Sequence, residues 1–104
     1  MTQTDSPQIQ ALKERYKSSF PEKIAEITDC LNAVQSSESS TDDVVELRNL
    51  LHKISGSSGM YGYSEISTTS RSAMRVAESF DGSSELDELV SAVNELIALI
   101  ESSR

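Results

Sequence analysis

The chain has 104 residues, 37% hydrophobic and 25% charged, with nine Lys and Arg against seventeen Asp and Glu for a formal charge of −8. That length supports one core and excludes two independent ones, and the acidic balance argues against a phosphate backbone, hence nucleic acid, as partner. With no tryptophan and few aromatics, the core must be built from Leu, Ile, Val and Ala.

Apolar residues recur at helical spacing in nearly every segment and no stretch alternates as a strand would, so the expected class is all-α. Residues 1–6 are expected to be flexible. Ser6-Pro7 supplies an N-cap and a first-position proline for a short helix through Ile9, Leu12 and Tyr16, ending near Ser18. Phe20-Pro21-Glu22 restarts the chain, and Ile24, Ile27, Leu31 and Val34 form an apolar stripe with Cys30 buried beside it. The polar run "QSSESSTDD" reads as a loop.

Thr41 or Asp42 is then expected to cap a helix that buries Val44, Leu47, Leu51, Ile54 and Ser58. Gly59 and Gly62 end or loosen it, and a fourth helix carries Ile66, Ser70, Ala73, Ala77 and Phe80. "DGSS" makes a turn, and Ser83 or Ser84 caps a last helix. Its first turn holds Glu85, Asp87 and Glu88, with Leu86, Leu89, Val90, Val93, Leu96, Ile97 and Ile100 inward. Together these segments describe one domain over residues 1–104, an antiparallel up-down four-helix bundle with an additional short N-terminal helix.

The stretch "NLLHKISGSSGMYGYSEI" contains the single histidine, His52. At about 100° per residue, Leu47, Leu51, Ile54 and Ser58 cluster within about 60° on the core side, and His52 falls about 120° away beside Arg48, Val45, Gly56 and Gly59. The imidazole is expected in solvent. A helix-interior glycine costs about 1 kcal/mol relative to alanine, so the glycines need a reason. One reading is a strip cleared for a docking partner; the other is a helix end, which suits Gly59 and Gly62 better than Gly56. Tyr61 and Tyr63 either line a partner surface or pack the bundle end, and the second reading is preferred. Asp42, Asp43, Glu85, Asp87 and Glu88 are first-turn acids that complement helix dipoles rather than metal ligands.

"LLHKISGSSGMYG" resembles the signature of histidine phosphotransfer (HPt) domains. In that signature an exposed helical histidine is followed at +2 by an aliphatic residue, at +4 by glycine, at +5 and +6 by small residues and at +10 by glycine. His52, Ile54, Gly56, Ser57, Ser58 and Gly62 match in order. The family's usual lysine at +3 is here Ser55. The resemblance implies that His52 accepts a phosphoryl group from a receiver-domain aspartate and passes it to another receiver. Arg48, Lys53 or Ser55 would support that group, Arg48 being favoured as the compensating cation. Val45, Gly56 and Gly59 are the expected docking residues.

The expected partners are response-regulator receiver domains and a hybrid sensor histidine kinase, with Mg²⁺ carried by the receiver and no cofactor or metal site on this chain. No glycine-rich nucleotide loop is present, so ATP-dependent kinase activity is not expected. The lone cysteine excludes an intrachain disulfide. No basic leader with an apolar run, and no eighteen-residue apolar stretch, occurs in the sequence. A cytoplasmic monomer without membrane contact is the expectation. Two alternatives carry no transfer chemistry: an interaction module that binds a receiver or kinase, and a structural bundle that dimerises.

Overall fold

The structure, a computed structural model, describes residues 7–36, 38, 40–80 and 86–104. The regular structure of these residues is entirely helical: α1 (Pro7–Ser18), α2 (Phe20–Gln35), α3 (Thr41–Met60), α4 (Ser64–Ser79) and α5 (Leu86–Ser102). The expected flexibility of residues 1–6, the Ser6 cap, the "DGSS" turn, the Ser83 or Ser84 cap and Glu85 lie outside the described residues.

The apolar stripes close on one another in a ring, α2 packing on α3 and α5, and α4 packing on the same two helices. Ile27, Leu31 and Val34 meet Leu47, Leu51 and Ile54 of α3 and Leu89, Val93, Leu96 and Ile100 of α5, all buried. Each such side chain stabilises the fold by about 1.5–3 kcal/mol relative to exposure. The α4 helix contributes smaller residues, with Ser67, Ser70, Ala73 and Ala77 buried beside Ile66. Small side chains let α4 lie close to α3, and this is the most extensive helix pairing in the molecule. The hydroxyl of Ser70, fully buried, finds no hydrogen-bond partner there. Such an unpaired group costs about 1–3 kcal/mol.

Two boundaries, the start of α3 and the end of α4, differ from the sequence reading, while the end of α3 falls at one of the two glycines expected to end it. The cap of α3 is Ser40, not Thr41 or Asp42, because Asp43 reaches back from the third helical position and accepts the Ser40 N–H at 2.9 Å, completing a capping box. At the other end, α3 runs through Gly59 and stops around Gly62, the positive-φ residue at 86°. Tyr63 N–H donates to the Ser58 carbonyl at 2.8 Å and Gly62 N–H to the Gly59 carbonyl at 3.2 Å, the paired bonds of a Schellman ending. Phe80 lies just past α4, its N–H donating to the Ala77 carbonyl.

Only Ser19 separates α1 from α2. Tyr16, buried at the end of α1, stacks on Tyr61 at 4.8 Å between ring centroids and meets Phe20 edge-on at 5.7 Å. The Lys23 ammonium sits 4.5 Å from the centre of the Tyr16 ring. Tyr61 and Tyr63 thus pack the bundle end, as the preferred sequence reading had it. This cluster fixes the C-terminal end of α3, the half of the helix that follows His52.

Candidate functional site

His52 is exposed on α3, on the side opposite the buried Leu47, Leu51, Ile54 and Ser58. Its position follows from the period of the apolar residues, which turns it away from the core. Helix geometry behind it is unusually well tied. The Ser58 hydroxyl donates to the Ile54 carbonyl at 2.6 Å, and the Tyr16 and Ser57 hydroxyls hydrogen-bond at 2.7 Å. A serine bonding back along its own helix occupies a carbonyl without needing a neighbour.

Two glycines of α3 have different surroundings. A Cβ added at Gly56 would meet nothing within 4 Å, so the exposed surface one turn beyond His52 is open. A Cβ at Gly59 would stand 3.1 Å from the Ser67 hydroxyl oxygen of α4. Gly59 therefore has a packing reason, the close approach of α4. Val45, 47% exposed, is an apolar residue on the His52 side of α3.

The three residues expected to support a phosphoryl group do not stand together. Arg48, one turn before His52, donates to Glu78 of α4 through Nε at 3.0 Å and a terminal nitrogen at 2.8 Å, and its other terminal nitrogen donates to Asn49 at 3.2 Å. Its charge is shared with the Glu78 carboxylate. Lys53 is exposed and lies near Lys23 of α2, where the two like charges, after burial, help lower the Lys23 pKa. Ser55 is only 7% exposed and turned to α4, its carbonyl accepting the Ser67 hydroxyl at 2.7 Å. So little exposed, Ser55 stands behind the exposed strip.

Glu78 and Ser67 were not legible as site residues. Both act from α4, and their relevance depends on the α3–α4 register, which no spacing within either helix reveals. Cys30 is half-buried rather than buried; burial, then the nearby acids Glu46 and Asp29, raise its pKa and hold it as the unreactive thiol. A shallow groove of about 420 Å³ between α4 and α5, lined by Ser64, Glu65, Thr68, Thr69, Glu95 and Leu99, includes no residue of α3. Among the described residues no three His, Cys, Asp or Glu side chains group as a metal site, and no helix is long and apolar enough to cross a membrane.

A family model for the Hpt domain matches residues 11–104. No curated protein and no solved structure matches the chain.

Proposed function

We propose, for a chain that belongs to the Hpt-domain family, the phosphotransfer domains of two-component signalling, that His52 is the phosphoacceptor in a relay between receiver domains. The observation that carries this reading is an exposed imidazole followed one turn later by the open surface at Gly56. A partner's loop can approach the ring there without displacing a side chain. The reading includes the up-down order of α2 to α5, with α1 as an added N-terminal helix, and a cytoplasmic monomer.

The chemistry asks little of this chain. The lone pair of a neutral imidazole nitrogen forms a bond to phosphorus as the aspartyl O–P bond breaks, and the carboxylate leaves with that bond's electrons. The proton on the other ring nitrogen passes to solvent. The receiver supplies the aspartate and a bound Mg²⁺. Val45 offers an apolar contact beside the nucleophile, and Gly56 the clearance. Arg48 can assist only by exchanging Glu78 for the phosphoryl group, and Lys53 only by reaching round α3.

The test is to charge receiver domains with acetyl phosphate, add the protein and follow acid-labile label. Label on the unaltered protein and none on His52→Gln is the expected result. Absence of label across the native receivers overturns the reading. A second reading, a non-catalytic module that binds a receiver or kinase, is favoured by Ser55 in the place of the usual lysine and by the pairing of Arg48 with Glu78. It predicts partner binding unchanged in His52→Ala, measured by calorimetry, with no label on any variant.

A further inference from the structure

We infer that Arg71 of α4 is the cation that holds the phosphoryl group on His52, in place of a lysine on α3 itself. The inference rests on His52 being the phosphoacceptor. It follows from the register of the two helices. The Ser67 hydroxyl meets the Ser55 carbonyl at 2.7 Å, and Glu78 meets Arg48 at 2.8 Å, so rising numbers on α4 face falling numbers on α3 and the pair is antiparallel.

Between these two tie points, His52 lies three residues before Ser55 and Arg71 four residues after Ser67. At about 1.5 Å per residue the two are level to within about 2 Å along the bundle counted from the Ser55–Ser67 contact, and to within about 5 Å counted from the Arg48–Glu78 contact. Ser67 and Glu78 both face α3, and at about 100° per residue Arg71 sits about 40° round from Ser67 and about 20° round from Glu78. Arg71 is exposed where Ser67 is buried, as His52 is exposed where Ser55 is buried. The two side chains therefore border the outer edge of the same α3–α4 groove.

The competing cations are placed less well. Arg48 is bound by Glu78. Lys53 is about 100° round α3 from His52, on the side of Lys23 of α2. Arg75, one turn beyond Arg71, is about 40° farther from the groove. Among the described residues Arg71 has no ion pair or hydrogen bond, so its guanidinium is available. A guanidinium presents a planar fork of donors that matches two phosphoryl oxygens, which a serine at position 55 cannot do.

Potassium phosphoramidate separates this inference from the one it rests on, because it labels an acceptor histidine without a receiver. The imidazole nitrogen forms the new P–N bond as the donor's P–N bond breaks, and ammonia leaves with the electron pair. The measurements are the rate of labelling and the lifetime of the label for the unaltered protein, Arg71→Ala, Arg71→Lys and Arg75→Ala, with circular dichroism to confirm that each folds. Loss of one charge-assisted contact predicts labelling slowed about tenfold in Arg71→Ala, since each 1.4 kcal/mol is a factor of ten. Arg71→Lys should recover most of the rate, and Arg75→Ala should stay within about twofold of the unaltered protein. Equal rates in Arg71→Ala and the unaltered protein overturn the role of Arg71 and leave His52 as acceptor, and so does an equal loss in Arg75→Ala. No label on the unaltered protein from either donor overturns the phosphoacceptor reading and this assignment with it.

Discussion

Arg48 and Glu78 bridge α3 to α4 through a single carboxylate oxygen, which accepts from Nε at 3.0 Å and from a terminal nitrogen at 2.8 Å, one turn before His52. The pair ties the two helices that carry the proposed chemistry, and it engages the cation one turn before the imidazole on its own helix.

Because both side chains are more than one-third exposed, the bridge should contribute little to stability. A double-mutant cycle with Arg48→Ala and Glu78→Ala, measured by urea unfolding, is expected to give a coupling of about 0.2–1 kcal/mol that shrinks as salt is raised. Arg48→Ala should slow labelling of His52 by less than about threefold, the loss of an exposed and already paired charge. A tenfold loss would return Arg48 to the role of principal cation.

Gly56 and Gly59 should respond in opposite ways to the same added methyl. Gly56→Ala meets open space and is expected to stabilise the fold by about 1 kcal/mol through helix propensity, while slowing transfer from a receiver by crowding the surface beside His52. Gly59→Ala sets a Cβ 3.1 Å from the Ser67 hydroxyl oxygen, the group that holds the Ser55 carbonyl, and should gain nothing or lose stability. Thermal unfolding of the two variants decides it, and equal stabilisation would contradict the packing role of Gly59.

The Tyr16 hydroxyl connects the aromatic cluster to α3 at Ser57. Tyr16→Phe keeps the ring and is expected to cost about 1 kcal/mol at neutral pH. Burial, partly offset by the bond to Ser57, raises the Tyr16 pKa above 10.0. A group with a raised folded pKa contributes its full stability below the unfolded value and loses it as pH rises through the folded one. The gap between the unaltered protein and Tyr16→Phe should therefore be constant up to about pH 10 and narrow above it. Urea midpoints from pH 7 to 11 test this, and a gap that widens with pH would refute it.

Much was determined by the sequence alone. The three-and-four spacing of Leu47, Leu51, Ile54 and Ser58 was enough to turn His52 outward, because the period of a helix and the burial of its apolar residues together leave one side free. The same logic predicted the all-helical class and the inward residues of α2 and α5. Gly62 as a helix terminator was also readable, since a positive φ is what glycine permits and other residues resist.

What only the tertiary structure decided are the matters that depend on which residue of one helix stands opposite which residue of another. Arg48 and Gly59 looked like parts of one exposed strip, but Arg48 pairs with Glu78 of α4, and Gly59 and the Ser55 carbonyl lie against Ser67 of α4. Angular position within a helix is periodic and local, so it is written in the spacing of the residues. Register between helices is set by how small residues such as Gly59, Ser67 and Ala73 let two surfaces interlock, and no single helix contains that information.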